Sequence, residues 1–174
     1  MSTWNVDASH TTVSFVVKHM MVTKVRGTFS DIEGKIEGDP ENFENAKVTF
    51  RVGVDSIDTK NEDRDNHLRS ADFFDVENHP NMTFESKKIE KVGDNQYKLT
   101  GDLTIRGTTK ETTFDVEYLG KVTNPWGVEV VGFEARATIS RKEFGLTWNQ
   151  ALETGGVLVS DDVKIEIDLE ANPA

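Results

Sequence analysis

No cysteine occurs among the 174 residues, so disulfides, thiol chemistry and cysteine-bound metals are excluded. No stretch approaches the run of about 18 apolar residues that a membrane-spanning helix requires. The opening MSTWNVDASH lacks a basic n-region and an apolar h-region. The expectation is therefore a cytoplasmic chain without stable membrane insertion. Basic residues are in deficit: 20 Lys and Arg stand against 31 Asp and Glu, a formal net charge of -11. Such a field disfavours nucleic-acid phosphates and anionic surfaces, and leaves only a local basic pocket as a place for an anion. His10, His19, His67 and His79 contain no pair at i, i+2 or i, i+4, the spacings that bring two imidazoles onto one ion. Neither a metal nor a cofactor is expected.

What the chain does contain is alternation. From Thr12 to His19, Val13, Phe15 and Val17 share one face and Thr12, Ser14 and Lys18 the other, the period-two pattern of a half-buried strand. From Val25 to Gly38 the parity switches: Val25, Gly27 and Phe29 are odd, Ile32, Gly34 and Ile36 even. A bulge or bend near Ser30 and Asp31 reconciles them. Asp39 and Pro40 turn the chain into an apolar face of Ala46, Val48, Phe50, Val52 and Val54. After His79-Pro80-Asn81, Met82 and Phe84 resume the pattern, and Gly93-Asp94-Asn95 signals a hairpin. The clearest strand follows, with Tyr97, Leu99, Gly101, Leu103 and Ile105 on one face. Arg106-Gly107-Thr108 and Asn124-Pro125-Trp126-Gly127 bracket a strand marked by Phe114, Val116 and Tyr118. Two further inward faces run through Phe133, Ala135, Ala137 and Ile139, and through Val163, Ile165, Ile167 and Leu169.

Eight or nine antiparallel strands without βαβ rhythm predict an all-β sandwich or barrel in one domain over residues 1–174. An eight-stranded barrel encloses room for side chains or for one small ligand. The inward Gly34, Gly101, Ala135 and Ala137 leave volume open unless neighbouring aromatics fill it, and a strand glycine equally marks a bulge.

Residues 61–76, NEDRDNHLRSADFFDV, interrupt the strands with a short helical insertion. Asn61 can cap its start, with Glu62 and Asp63 in the first turn where backbone N–H groups favour negative charge. Arg64 and Leu68 share a face, Asp65 and Arg69 can pair at i, i+4, and Ser70 can cap a second short turn. Phe73 and Phe74 carry more aromatic area than two turns can bury, so they must pack on the mouth of the surrounding sheet, as plug or as gate. Asp65, His67 and Ser70 supply triad residue types, but on a helix their spacing does not align a nucleophile, a base and its orienter. Asp63, Asp65 and Asn66 lack the glycine and glutamate of a calcium loop. GDLTIRG at 101–107 reads as strand, not as a phosphate-binding loop.

Trp4-Asn5-Val6-Asp7 with His10, then FVVKHMMVTKVRGTF, SIDTKNEDRDNHLRSADFFDVENHPNMTF, GDLTIRGTT and ISRKEFGL, in this order and spacing, resemble the YceI-like family of polyisoprenoid-binding proteins over nearly the whole chain. The resemblance implies an extended eight-stranded antiparallel lipocalin-like β-barrel whose tunnel takes a long isoprenoid or similar lipid. It also implies a spread of cargoes, including prenyl pyrophosphates, quinones and fatty amides. Many relatives are periplasmic.

A prenyl tail forms no hydrogen bonds, so its site needs a dry, elongated apolar channel and a few donors at the opening. The channel candidates are Phe15, Val17, Phe29, Phe50, Val52, Phe84, Leu103, Ile105, Phe114, Val116, Phe133 and Phe144, with Phe73, Phe74 and Trp148 near the mouth. His19, Arg64, His67, Arg69 and Arg106 are the candidates for a head group, each arginine having a local carboxylate as its alternative partner. Residues 144–161, with Trp148 and Gly155-Gly156, offer either a lid or an irregular turn. Three functions stay open: a non-enzymatic lipid carrier; an enzyme acting on a lipid in the same cavity, marked by a buried His67 beside a carboxylate; and a filled barrel for protein association. A homodimer is compatible with the sequence, which shows no interface.

Overall fold

The computed structural model describes residues 2–20, 22–147 and 159–174. Ten strands appear among them: β1 (Thr3–Val6), β2 (Thr12–His19), β3 (Thr23–Phe29), β4 (Asp31–Glu37), β5 (Lys47–Gly53), β6 (Asn81–Gly93), β7 (Gln96–Ile105), β8 (Thr108–Thr123), β9 (Glu129–Ser140) and β10 (Asp162–Pro173). All pairings are antiparallel. Eight strands close a ring in the order β1, β4, β5, β6, β7, β8, β9, β10 and back to β1. The closure uses the whole length of β10. Its end, from Ala171, pairs with β1, while Lys164 to Asp168 pair with β2, from which the β2–β3 hairpin extends.

Alternation is legible in the walls because one face packs inward and the other meets water. In β7, Tyr97, Leu99, Gly101, Leu103 and Ile105 are buried, and every residue between them is more exposed. The parity switch falls where the sequence places it, at Ser30 between β3 and β4. There the backbone N–H groups of Ser30 and Asp31 both donate to Ser56 Oγ at 3.1 Å, a side chain substituting for ladder bonds at the bend. The β7–β8 turn is a two-residue hairpin with Arg106 at φ +49° and Gly107 at φ +72°, the primed turn whose twist matches that of the strands.

Two points go beyond the sequence reading. Thr3–Val6 forms the closing strand β1, too short to show a period. The glycines of the inner wall do not hold volume open. A Cβ on Gly34 would lie 2.8 Å from the Phe50 ring and from Val6, and one on Gly101 would lie 2.3 Å from the Glu85 carbonyl oxygen and 2.7 Å from Phe84. Neighbouring side chains and backbone already occupy that space.

One end of the barrel is sealed by the short 3-10 segment Pro40–Asn45, whose Phe43 is 2% exposed. Phe43 lies edge-on to Tyr97 at 5.2 Å between ring centroids and tilted on Phe133 at 4.8 Å, and Tyr118 adds a further ring 5.1 Å from Phe133. The other end carries helix α1 (Glu62–Arg69), followed by hydrogen-bonded turns through His79.

Candidate functional site

The helix at the open end is held by polar bonds. Asn61 Oδ1 accepts from the Arg64 N–H at 3.0 Å, the expected N-cap. The carboxylate of Asp65, the one buried residue of α1, accepts from the Thr59 N–H at 3.0 Å and the Thr59 hydroxyl at 2.5 Å. Arg64 closes the cluster, its Nε donating to Thr59 Oγ1 at 2.8 Å and Nη2 to the Thr59 carbonyl at 2.7 Å. The expected Asp65–Arg69 pair does not form. Asp65 is taken by Thr59, while Arg69 donates to the carbonyls of Asp55 and Ile57, both at 3.1 Å, and approaches the Asp55 carboxylate at 3.4 Å. Ser70 Oγ donates to the His67 carbonyl at 2.5 Å and accepts from the Asp72 N–H at 3.4 Å, starting the turn that brings Phe73 and Phe74 inward. Phe74 meets Phe29 edge-on at 6.2 Å, and Phe73 meets the His67 ring at 5.1 Å.

Beneath this plug lie two cavities. The inner one, about 110 Å³, runs toward the sealed end between Val6, Ile36, Phe43, Phe50, Phe114 and Phe133, and among the described residues Thr83 is the only polar one on its wall. The outer one, about 470 Å³, falls within the size range of small-molecule sites. Its wall includes Phe15, Val17, Phe29, Leu68, Phe73 and Phe74, and toward the surface His19, Asn61, Asp63, Arg64 and His67. Val13, Met82, Ile105 and Ile165 line both, so the two are adjoining lobes of the apolar interior passage that meet at a waist formed by these four side chains. The passage reaches the surface between α1 and the β2–β3 hairpin, where Lys18, Asn61 and Asp63 of its wall are exposed.

Charge at this mouth is mainly positive. Arg64 spends Nε and Nη2 on Thr59, and Nη1 makes no hydrogen bond among the described residues. Arg141, 3% exposed, also lines the outer lobe. Its Nε donates to the Ser160 carbonyl at 2.8 Å, Nη2 to that of Val159 at 3.2 Å, and Nη1 to that of Leu146. Burial lowers the Arg141 pKa from its ordinary value, and the nearby Asp161 opposes the shift. Asp161 is itself held low, first by the hydrogen bond from Ser140 at 2.5 Å. His67 Nε2 lies 2.9 Å from Asp72, but the side chains are 38% and 54% exposed, a rim pair and not a buried one.

A YceI-like domain profile matches residues 4–171. The chain belongs to the YceI-like family. A UPF0312 protein of Staphylococcus epidermidis is 46% identical over 171 residues, covering 98% of this chain and 97% of the relative. Among solved structures, a YceI protein of Campylobacter jejuni is 35% identical with a TM-score of 0.76, covering 89% of this chain and 88% of that one. Burkholderia cenocepacia BcnA gives a TM-score of 0.83 at 26% identity, covering 95% and 98%. A polyisoprenoid binding domain from Saccharophagus degradans covers both chains fully with a TM-score of 0.73; at 13% identity it shows the shared fold alone.

In this YceI-like barrel most residues singled out in the sequence line the passage. Phe50, Val52, Phe84, Leu103, Phe114, Val116 and Phe133 face the inner lobe, Phe15, Val17, Phe29, Phe73 and Phe74 the outer, and Ile105 both. His19, Arg64 and His67 stand at the mouth. Three do not reach it. Arg69 is turned to the Asp55–Ile57 carbonyls, Arg106 donates to the Gly145 carbonyl at 3.1 Å from the β7–β8 turn, and Phe144, 1% exposed, packs in the core away from both lobes. Trp148 and Gly155-Gly156 lie outside the described residues. The sequence reading missed Met82 and Ile165 at the waist, although both sit on inward faces it had drawn. It also missed Arg141, for which the ISRKEFGL segment carries no local signal of burial.

Proposed function

We propose that this YceI-like protein binds and carries, without catalysis, one long-chain isoprenoid or related amphiphilic lipid, such as a polyprenyl pyrophosphate, an isoprenoid quinone or a fatty amide. One observation carries the reading: two adjoining apolar lobes inside the barrel, the inner one ending at Phe43 and the outer one lined toward its mouth by Arg64, Arg141, His19 and His67. An apolar tail gains about 0.8 kcal/mol per buried CH₂, so a dozen enclosed carbons supply on the order of 10 kcal/mol before the cost of ordering the chain. A polar or anionic head group at the mouth meets Arg64, whose Nη1 has no hydrogen-bond partner among the described residues. The Saccharophagus degradans domain with this fold is described as polyisoprenoid binding, which fits the same reading.

The alternatives fare worse. A filled barrel leaves no room for two apolar lobes. An enzyme working through His67 needs that ring buried beside its carboxylate, and here the His67–Asp72 pair sits on the rim. Native mass spectrometry of the purified protein, followed by organic extraction, tests the proposal. A stoichiometric long-chain lipid supports it. An apo mass that persists after incubation with prenyl pyrophosphates, quinones and fatty amides refutes it.

A further inference from the structure

Residues 8–30 contain no Asp or Glu, the longest such stretch in a chain that carries 31 of them. This stretch folds into the β2–β3 hairpin beside the mouth. Lys18 and Lys24 stand opposite each other in its ladder, and Arg26 is opposite Val16, which is in turn opposite Lys164 of β10. The four cations therefore share one outward face. All four are exposed, and among the described residues no carboxylate pairs with any of them. Lys47, Lys87 and Lys98 on other strands each have an acidic partner within 4 Å. Asp162 and Glu166 flank Lys164 along β10, so the hairpin and not β10 supplies the excess of positive charge. At the hairpin tip two apolar side chains face water, Val22 at 82% and Met20 at 45% exposure.

Apolar tip, unpaired cations behind it and a cavity opening alongside form one arrangement. We propose that the β2–β3 hairpin is the surface by which the protein docks on an anionic lipid bilayer, with Val22 and Met20 entering the headgroup layer and the cations meeting lipid phosphates. The proposal rests on the lipid-carrier reading for its purpose but not for its physics. A protein of net charge -11 is repelled overall by such a membrane, so the local patch favours the pose that turns the mouth toward the lipid. Contact of this kind is peripheral and reversible, and it weakens as salt rises.

Co-sedimentation with phosphatidylcholine vesicles, with and without phosphatidylglycerol, tests the docking. The expected result is binding that requires phosphatidylglycerol and is lost in high salt. Each cation near the surface is worth about a factor of five, so the Lys24→Gln, Arg26→Gln, Lys164→Gln variant binds about 100-fold more weakly. Val22→Ser binds about tenfold more weakly and supplies a second line should the triple variant fold poorly. A control, Lys47→Gln, Lys87→Gln, Lys98→Gln, removes the same charge from cations that already have partners, and it stays close to wild type. Equal binding to both vesicle types, or an equal loss in the control, overturns the proposal. Vesicle binding by a protein that yields no extractable lipid leaves the docking standing and removes the carrier reading. Extractable lipid from a protein that ignores anionic vesicles does the reverse.

Discussion

Ala135 lies on the wall of the inner lobe, and replacing it with leucine separates the two parts of the passage by experiment. The substitution adds three carbons to a space of about 110 Å³ that no side chain fills. An apolar cavity costs about 24 cal/mol per Å³, so filling this one completely is worth about 2.6 kcal/mol, and three added carbons at about 0.8 kcal/mol each give a similar upper figure. The empty protein should therefore gain about 1–2 kcal/mol once some strain in the leucine rotamer is allowed for. The same carbons displace about three methylenes of a bound tail. A ligand long enough to pass the waist at Met82 and Ile105 loses about 2–3 kcal/mol, on the order of 100-fold in affinity, whereas a short ligand confined to the outer lobe loses nothing. Urea unfolding of the lipid-free protein and a titration series in ligand chain length measure the two effects. Opposite signs for stability and long-chain affinity are the signature. An equal loss for short and long ligands, or none for either, would show that tails do not enter the inner lobe and would refute the continuous-passage argument.

Three further perturbations probe the frame. Gly101→Ala places a methyl 2.3 Å from the Glu85 carbonyl oxygen, between paired strands that cannot separate, and should cost about 2–3 kcal/mol in chemical unfolding. Tyr118 Oη is buried without a hydrogen-bond partner among the described residues, so Tyr118→Phe removes an uncompensated group and should raise stability by about 1 kcal/mol. The carboxyl of Asp7 is pulled down to about 2, first by the Ser9 hydroxyl and next by the His10 ring at 2.9 Å. A carboxyl lowered by folding stabilises above its unfolded value near 4 and loses that contribution as pH falls through about 2. Asp7→Asn should therefore destabilise by up to about 2 kcal/mol at neutral pH, with the gap to wild type closing in acid unfolding below about pH 2.

The walls of the barrel were legible because burial on one face imposes a period of two, and that period reads directly onto β5, β7 and β10. The closing strand was not, since Thr3–Val6 is too short to show a period and is fixed by partners far along the chain in β4 and β10. The sealed end was missed for a related reason. Phe43 sits in a turn that follows Pro40, and only the meeting of that turn with Tyr97 and Phe133 makes it a plug. At the mouth, residue type was a good guide to the side chains that point along strands and a poor guide to the arginines. Arg64 and Arg69 lie a turn and a half apart on the same short helix. One lines the outer lobe while bonded to Thr59 and the other turns to the Asp55–Ile57 turn, because the loop before the helix passes Thr59 beside the first turn and the Asp55 and Ile57 carbonyls beside the last. Helical spacing alone does not encode that choice.

The two ends of the passage are built from different forces, and this determines which end admits a ligand. At the sealed end Phe43, Tyr97, Tyr118 and Phe133 are all at least nine-tenths buried, and the strands that carry Tyr97, Tyr118 and Phe133 are hydrogen-bonded on both sides, so parting those three rings means opening the barrel. At the mouth, α1 is attached to the preceding loop by four side-chain hydrogen bonds to Thr59 and two from Arg69. At about 1 kcal/mol net for each bond, releasing the first turn from Thr59 costs about 4 kcal/mol, well below the roughly 10 kcal/mol of unfolding a typical domain. Backbone amides of α1 should therefore exchange with solvent by a local route that is nearly independent of denaturant, while those of β7 and β8 exchange only through global unfolding. Asp65→Ala, which leaves the Thr59 N–H and hydroxyl without their acceptor, should speed α1 exchange by about tenfold or more and leave β7 protection falling only with overall stability. Exchange of α1 at the same rate and with the same denaturant slope as β7 would mean that the helix is part of the barrel's cooperative unit, and the route of ligand entry would then have to be sought elsewhere.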